Sequence, residues 1–492
     1  MFHNAHSPKP LPVIIVGSGL AGLSAAYTAL HSGTSPVYIL ERAVKPGGNS
    51  FKASSGINGA PTPFQHAASG DGAFYDDTIR SAGRRLAGGP SSEARAQRER
   101  LIRVLTERST RAIDFLTGLG VDLSVVTQLG GHSNARTHRG AGKTPPGVAI
   151  VSALLEKCKA EGGERFKLVT GCEVRKLLTS GEKENEGVAG VEYQTEGGEV
   201  ETLKGPVVFA TGGFAGDTHG LLARYRPDLS GLPSTNEPRP GCHDVLTAVG
   251  ARLVDMESVQ IHPTGFVDPQ NPGARLKFLA AEMLRGEGGI LLYKGKRFVN
   301  ELETRERVSE AIMGLPEAER EGELRQWDVQ LLLDPGAAKA AEGHVSFYVW
   351  KGLLKRVKVK DLDETTRQTL KDYAEAVSGK EGKVDGKGRR AFGHWSLGVE
   401  GWDDEAGVCV GRITPIVHFT MGGVVINEHA QVLSSDLGQD QRPIPGLWAA
   451  GEVTGGIHGD NRLGGSSLLE CVVFGRISGE QAAADAARGG AA

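Results

Sequence analysis

The sequence predicts an α/β protein whose dinucleotide-binding domain is interrupted by an inserted domain of different composition. Three observations lead to this prediction. A glycine-rich strand–turn–helix pattern lies near the N-terminus, two further apolar strands end in glycine turns, and a more charged stretch lies between those two strands. Strands that alternate with helices in this way are typical of a parallel sheet covered by helices.

The glycine pattern occupies residues 13–22, V-I-I-V-G-S-G-L-A-G. The apolar run before Gly17 predicts a buried strand, and the Ala- and Leu-rich residues 20–30 predict a helix. In the G-x-G-x-x-G spacing, Gly17 permits the turn, Gly19 lets a pyrophosphate approach, and Gly22 lets the helix pack on the strand. The N-terminal amides of the helix would attract that pyrophosphate.

A second apolar run, residues 37–40, ends at Glu41. An acidic residue roughly 20 positions after the fingerprint is expected to hold a ribose 2′-hydroxyl. The loop that follows, residues 47–59, is dense in glycines and hydroxyls. It either wraps a flat ligand or forms a surface loop.

The rest of the first segment predicts helices at 76–119 and 148–158, a small meander of strands at 167–174, 188–194 and 200–203, and a buried strand at 206–214 that returns to the first sheet. The polar, cationic stretch 130–139 either lines an anion pocket or forms an exposed turn.

The central segment carries more charge and fewer strand runs, with helices expected at 316–333 and 363–377. A strand at 446–452 and a final helix then close the domain that began near residue 11. We therefore expect a first part of the cofactor domain at 1–255, a capping domain at 256–416, and a return segment at 417–492.

Composition restricts the class of protein. A chain of 492 residues predicts two or more domains, and a net charge of −3 gives no case for nucleic acid or an anionic membrane as a partner. The five cysteines are scattered and form no C-x-x-C pair, which argues against disulfides, a metal site, an iron–sulfur cluster or attached haem. With no signal-peptide layout or transmembrane run evident, we expect a cytoplasmic protein.

Four stretches concentrate cationic and polar groups beside glycines, at 260–264, 281–289, 297–305 and 418–423. Glu282 and Arg285 are three residues apart and would share a helix face, with Gly286 as a terminator. Each stretch alone is explained by a surface ion pair or a hydrogen-bonded histidine. Together with Arg462, they supply arginines and histidines for one pocket, which would suit a small dicarboxylate because arginine binds carboxylates bidentately.

The order of these motifs resembles the soluble fumarate reductase family, the single-chain, FAD-containing relatives of the succinate dehydrogenase and fumarate reductase flavoprotein subunits. The resemblance covers nearly the whole chain and is carried by V-G-S-G-L-A-G-L-S-A-A, Q-I-H-P-T, A-E-M-L-R-G-E-G-G, F-V-N-E-L-E-T-R, H-F-T-M-G-G and A-G-E-V-T-G-G-I-H-G-D-N-R-L-G-G. It implies a Rossmann-like FAD domain of the two-dinucleotide-binding type, with an inserted α+β capping domain that excludes water.

The resemblance also implies the reaction and its residues. Reduced FAD would pass a hydride from N5 to fumarate, and Arg305 would protonate the other carbon to give succinate. Gln260, Glu282 and Arg285 would re-protonate Arg305. The residues implied to bind the substrate are His262, Thr264, His418 and Arg462. A guanidinium with a pKa above about 12 is a poor acid, so this role requires a dry site and neighbouring arginines.

The same resemblance implies which residues hold FAD. They are Gly17, Ser18, Gly19, Ala21, Gly22, Glu41, Arg42, Gly48, Asn49, Ser50, Ser54, Ser55, Gly56, Ile57, Val174, Ala210, Thr211, Gly212, Asn236, Asp244, Glu452, Ser467 and Leu468. The membrane-bound subunits carry a flavin-linked histidine where this chain has Lys52-Ala53-Ser54. We therefore expect non-covalent FAD.

Three departures bear on substrate preference: Ala281 replaces a hydroxyl residue of some relatives, Glu303 replaces a threonine, and the longer loop 236–244 puts the contact of Asp244 with the flavin in question. Two alternatives stay open. One is an L-aspartate oxidase or another enoate reductase, and the other is a partner-bound flavoprotein subunit. Because the chain has no haem or iron–sulfur ligand set, its electrons must come from a diffusible donor such as reduced flavin or from another protein.

Overall fold

The structure is a computed structural model and describes residues 10–65, 71–86, 93–181, 187–318, 322–378, 384–434 and 441–489. Within these residues the strands form one six-stranded sheet, one seven-stranded sheet and three smaller sheets of three strands each. Among the described helices, none has both the length and the apolar character that crossing a lipid bilayer requires.

The six-stranded sheet is built around the strand that precedes the glycine fingerprint. Its strands run in the order Gln431–Leu433, Pro443–Ala449, Val207–Phe209, Val13–Val16, Val37–Glu41 and Phe166–Thr170. All neighbours are parallel except the first pair. The central strands are apolar because helices cover the sheet, and the side chains of Val13, Ile14 and Ile15 are fully buried.

Two helices pack tightly against each other beside this sheet: Leu20–Ser32, which follows the fingerprint, and Ser466–Gly489, which ends the described chain. Glycines on the second helix permit the close approach. A Cβ at Gly475 would lie 2.5 Å from the carbonyl oxygen of Ala21, and one at Gly479 would lie 2.2 Å from that of Ala25. The final helix therefore belongs to the core that positions the fingerprint.

The seven-stranded sheet lies in the central part of the sequence. Its path runs in the order Phe278–Leu279, Val259–Phe266, Gly407–Thr420, Val329–Leu333, Ile290–Tyr293 and Lys296–Arg297, with Lys355–Lys358 also pairing with Gly407–Thr420. The pairs in this sheet are antiparallel. The 14-residue strand at 407–420 is therefore the element to which three other strands attach.

The remaining strands form three small sheets: Ile57–Asn58 with Thr137–Arg139 and Val125–Thr127; Glu173–Thr179 with Val188–Gln194 and Val200–Lys204; and Leu253–Val254 with Gly423–Val425 and Thr454–Gly455. The remaining α-helices of the described residues are Ala73–Ser81, Glu93–Glu107, Ser109–Gly118, Pro146–Gly162, Leu221–Tyr225, His243–Thr247, Met283–Gly286, Arg305–Met313, Pro335–Ala340, Glu342–Trp350 and Glu364–Val377.

The α/β fold class is confirmed, but three local predictions are wrong. Residues 167–174 are not one meander strand, because Phe166–Thr170 joins the six-stranded sheet and a separate strand starts at Glu173. The helix expected at 316–333 is contradicted at its end by a strand, Val329–Leu333, which pairs with strands on both sides. The central segment is rich in strands, since long-range pairing overrides local propensity.

The division at 255 and 416 stays a prediction. The strand Gly407–Thr420 runs through the second expected boundary.

Candidate active site

The glycine fingerprint forms a cradle of the kind that a dinucleotide requires. Gly17 has a φ of +105°, and a Cβ there would lie 2.4 Å from the carbonyl oxygen of Ala210. A Cβ at Gly22 would lie 2.0 Å from the oxygen of Gly17, so this glycine lets helix and strand pack closely. Gly19 and Gly212 face more open space: a Cβ at Gly19 would have no neighbour nearer than 3.7 Å, and one at Gly212 would have none within 4 Å.

The expected cofactor residues gather at the carboxyl ends of the parallel strands, where ligands bind in open α/β sheets. Gly17 follows Val13–Val16, Glu41 ends Val37–Glu41, Ala210 follows Val207–Phe209, and Glu452 comes shortly after Pro443–Ala449. The first turn of the final helix carries Ser467 and Leu468. These residues therefore lie at one edge of the sheet. The open space at Gly19 and Gly212 beside the start of the helix Leu20–Ser32 fits the pyrophosphate of FAD.

Contacts around the fingerprint hold its loops together. The Glu41 carboxylate accepts hydrogen bonds from the Ser18 amide at 2.9 Å and the Ser18 hydroxyl at 2.6 Å. The Ser50 hydroxyl accepts the Leu20 amide at 3.1 Å, at the N-terminus of the helix. The ribose contact of Glu41 stays a prediction.

Asn49 and Asn236 connect the cofactor loop to the seven-stranded sheet. The Asn49 amide donates to the Asn236 side chain, which donates to the His418 carbonyl oxygen at 3.0 Å.

Asp244 lies exposed in the first turn of His243–Thr247. Arg42 donates to the Pro240 carbonyl oxygen at 2.8 Å.

The expected substrate residues lie on two paired strands. Gln260 and His262 occupy alternate positions of Val259–Phe266, so their side chains leave the same face. Thr264 follows on the same strand, where the pairing shifts register between His262 and Gly265. On the partner strand, Gln260 is opposite Phe419 and Ile261 is opposite Val417, which makes His418 the extra residue of a bulge. Bulges redirect side chains beside active sites, and here the His262 and His418 ring centroids lie 5.3 Å apart.

Arg305 is buried at the centre of this cluster. It is the first residue of the helix Arg305–Met313, whose N-cap is Thr304. Its Nε donates to Glu282 Oε2 at 2.7 Å, and its Nη1 donates to Gln260 Oε1 at 2.9 Å. Arg462 donates to the same Gln260 oxygen at 3.0 Å, so one amide oxygen joins the two guanidiniums.

Glu282 lies between two arginines. Its second oxygen lies 3.7 Å from Nη2 of Arg285 and accepts the Gly130 amide at 3.2 Å. Burial opposes ionisation of this carboxyl, but the Arg305 and Arg285 guanidiniums outweigh it and lower its pKa to about 2. Glu282 is therefore a carboxylate at neutral pH and balances part of the positive charge.

His262, His418 and Arg462 are the remaining titratable groups of this cluster, and burial changes the pKa of each. Burial, followed by the charges of Arg305 and other neighbours, lowers the pKa of His262 and of His418 well below 6.5. Burial and Arg305 lower the pKa of Arg462 to about 9. His262 Nε2 and Arg462 Nε are buried and have no hydrogen-bond partner among the described residues. A cationic pocket with unsatisfied polar atoms is suited to an anion that accepts hydrogen bonds.

Two contributors were not predicted from the sequence. The Phe419 ring lies 4.2 Å from the Arg462 guanidinium, and Glu301 is a fully buried acid whose backbone oxygen accepts Arg285 at 2.6 Å. Glu301 also pairs with Arg297 at 2.7 Å. Arg297 ends a strand and residues 298–301 are not helical, so helical spacing gave no signal for this pair.

The structure also places Gly286, Glu303 and Ala281, which the sequence analysis singled out. The short helix ends with Gly286 inside it, and its C-cap is Glu287, so Gly286 is not the terminator beyond the last turn. Glu303 forms a surface ion pair with Arg307 at 3.2 Å, outside the cluster. Ala281 is buried, and its amide donates to the Tyr348 hydroxyl at 3.3 Å.

Comparisons with known proteins show the family and the fold of the chain. The FAD binding domain family matches residues 12–468. Fumarate reductase of Schizosaccharomyces pombe is 39% identical, and the match covers 97% of this chain and 90% of the relative. Fumarate reductase 1 of Saccharomyces cerevisiae is 41% identical over 96% of this chain and 99% of the relative. The solved structure of a flavocytochrome c3 fumarate reductase in its open conformation superposes with a TM-score of 0.71 at 29% identity, covering 98% of this chain and 79% of that one.

The carboxyl of Glu452 makes folding stability depend on pH. Burial and the neighbouring Glu470 raise the pKa of Glu452 to about 7 from 4.5, against hydrogen bonds from Thr420. The unfolded chain therefore ionises first, and wild type loses stability between about pH 4.5 and pH 7. We expect Glu452→Gln to become increasingly more stable than wild type over this window, by about 1.4 kcal/mol per unit of pKa shift.

The measurement is the melting temperature of flavin-free protein from pH 4.5 to pH 8, with Glu199→Gln as the control because its side chain is exposed. A constant difference between Glu452→Gln and wild type across this range would contradict the assignment.

Proposed function

This chain belongs to the FAD-binding family that includes the fumarate reductases of the two yeasts, and on that premise we propose that it reduces fumarate to succinate. The observation that carries the proposal is the buried Arg305, held by Glu282 and Gln260 beside two neutral histidines and Arg462. FAD, held non-covalently by the residues at the sheet edge, supplies the hydride when it is bound and reduced.

Charge selects the substrate in this proposal. Three arginines, Arg285, Arg305 and Arg462, are buried in the cluster. The Glu282 carboxylate is also buried, and it contacts Arg285 and Arg305. A dicarboxylate would supply the missing negative charge, because guanidinium groups form charge-assisted hydrogen bonds with carboxylates. His262 Nε2 and Arg462 Nε are the atoms we expect to contact the two ends of fumarate, because neither has a partner in the described part of the chain. Thr264 fixes the His262 ring through contacts at 3.2 and 3.3 Å to Nδ1.

Arg305 is the proposed proton donor to the substrate carbon. Its Nε and Nη1 are fixed by Glu282 and Gln260, which orients the guanidinium without blocking every nitrogen–hydrogen bond. Glu282 and Arg285 continue the chain of contacts away from Arg305 and form the proposed route by which the lost proton is replaced. Burial keeps water from competing for the reacting carbon.

We also propose a reducing compartment such as the cytoplasm and a diffusible electron donor such as reduced flavin. All five cysteines are free, which agrees with a reducing environment.

The direct test uses purified protein loaded with FAD. Dithionite-reduced methyl viologen should be reoxidised when fumarate is added, with succinate as the product measured by chromatography. The runner-up functions give other results. Oxygen consumption with L-aspartate and no fumarate turnover would indicate an aspartate oxidase, and turnover of acrylate alone would indicate another enoate reductase. If fumarate, L-aspartate and acrylate all give no turnover, the proposal that this chain acts as an enzyme without a partner subunit is wrong.

Arg305→Lys tests the proton donor. Lysine keeps the charge but cannot contact Glu282 and Gln260 in the same geometry, and loss of a general acid costs about 10²- to 10⁴-fold in rate. We expect kcat to fall by that factor while the flavin content is unchanged. The control is Arg307→Lys, two residues further along the same helix, whose side chain is 69% exposed and pairs with Glu303.

Turnover of Arg305→Lys within threefold of wild type would rule out its role as the acid. A fall of equal size in Arg307→Lys would show that the helix itself had been disturbed.

A further inference from the structure

A second cavity lies outside the arginine cluster. Its volume is about 200 Å³, and it opens between the loop 139–146 and the segment 339–344. The loop has the sequence R-G-A-G-K-T-P-P. Its first residue, Arg139, ends the stretch 130–139, for which the sequence allows either an anion pocket or an exposed turn. The mechanism proposed above uses none of its residues.

The charged side chains that line this cavity are three cations, Arg139, Lys143 and Lys339, and one carboxylate, Glu342. Lys143 and Lys339 are exposed and have no ion-pair partner within the described ranges. Arg139 donates to Glu287 at 2.8 Å, but its Nε is buried and no residue that the structure describes accepts from it. The one lining carboxylate, Glu342, lies 3.6 Å from the Arg356 guanidinium and accepts the Ser346 hydroxyl at 2.7 Å. The cavity therefore attracts anions.

Backbone dipoles add to this positive potential. The helices Pro146–Gly162 and Glu342–Trp350 both begin at the cavity wall. The positive end of a helix dipole favours a nearby phosphate or carboxylate. Gly142 carries no side chain, and a Cβ there would meet nothing within 4 Å, so a ligand has room to approach the backbone. Pro146 has no amide hydrogen and the Gly147 amide donates to the Ala53 carbonyl oxygen, so the first helix contributes its dipole and not these amides. Two helix dipoles and three cationic side chains therefore border one space.

The cavity also borders the loop that we propose holds FAD. His344, on its wall, contacts the Ser54 carbonyl oxygen at 2.9 Å. On the other wall, the Gly147 amide donates to the Ala53 carbonyl oxygen at 3.0 Å. A molecule bound here would therefore be separated from the cofactor loop by a single layer of residues.

The enzyme needs electrons from outside the chain. In the described residues, no group of His, Cys, Asp or Glu could hold a metal ion, and the five cysteines are free. The donor must then reach the protein near the cofactor. An anion-binding cavity beside the cofactor loop is the place where a phosphorylated carrier would dock.

We propose that this cavity binds the phosphate of a small diffusible electron donor of the reduced flavin mononucleotide (FMN) type, with Lys143, Lys339 and Arg139 as phosphate ligands. Each donor molecule would leave as oxidised FMN after giving up two electrons and two protons. The conversion of fumarate to succinate consumes the same two electrons and two protons. This inference rests on the proposed function.

The test measures binding as well as turnover. Equilibrium dialysis of oxidised FMN is performed with the FAD-loaded wild type and with the double variant K143E/K339E. The control, K176E/K204E, makes the same change of charge at exposed lysines of the small sheet that contains Glu173–Thr179 and Val200–Lys204. We expect the Kd for FMN to rise at least tenfold in K143E/K339E and less than twofold in the control.

Further arms separate phosphate recognition from flavin recognition. Riboflavin, which lacks the phosphate, should bind wild type at least tenfold more weakly than FMN, and inorganic phosphate should compete with FMN. In turnover with fumarate, K143E/K339E should show a raised KM for reduced FMN. Its KM and kcat with reduced methyl viologen, a cation without phosphate, should be unchanged.

Equal FMN affinity in wild type and K143E/K339E would overturn the proposal, as would equal affinity of wild type for FMN and riboflavin. Lysine-dependent FMN binding in an enzyme that fails to reduce fumarate with viologen would instead overturn the proposed function and leave the phosphate site in place.

Discussion

The buried pairing of Arg305 with Glu282 is the constraint on which the rest of the site depends. A guanidinium and a carboxylate removed from water are tolerated because each finds several partners, and removal of one partner would leave a charge that costs about 3–5 kcal/mol. The contacts come from separate parts of the chain, since Glu282 precedes a short helix, Gln260 lies on a strand, and Arg305 begins another helix. All three elements must be in place before the pair is satisfied.

Gln260 extends this constraint to the end of the chain. Its carbonyl oxygen accepts both Arg305 and Arg462, while its amide donates to the side chain of Asn461 at 2.9 Å and to the backbone of Arg462 at 2.7 Å. The segment that contains Arg462 leads directly into the final helix, which packs against the helix of the glycine fingerprint. The residues proposed to bind the substrate and those proposed to bind FAD are therefore fixed relative to one another.

The sequence was most informative where local chemistry dictates local structure. The positive φ of Gly17 agrees with the tight turn that the spacing predicts, and the 2.0 Å approach to the Gly17 oxygen at Gly22 agrees with the predicted packing of helix on strand. The approach of a pyrophosphate to Gly19 stays a prediction. The seven-stranded sheet was missed because its strands find partners far away in the sequence; Val329–Leu333 is a strand by virtue of neighbours at 290–293 and 407–420. The counter-ion role of Glu301 was missed for the same reason, since Arg389 reaches it at 3.0 Å from 88 positions further along the chain.

If buried cations fix a dicarboxylate against the cofactor site, a crystal structure of the FAD-loaded enzyme with succinate will show it. We expect one carboxylate in contact with Arg462 and His418, the other in contact with His262, and a methylene carbon facing the Arg305 guanidinium. Succinate bound elsewhere, or bound with Arg305 and Arg462 both turned away from it, would contradict the claim.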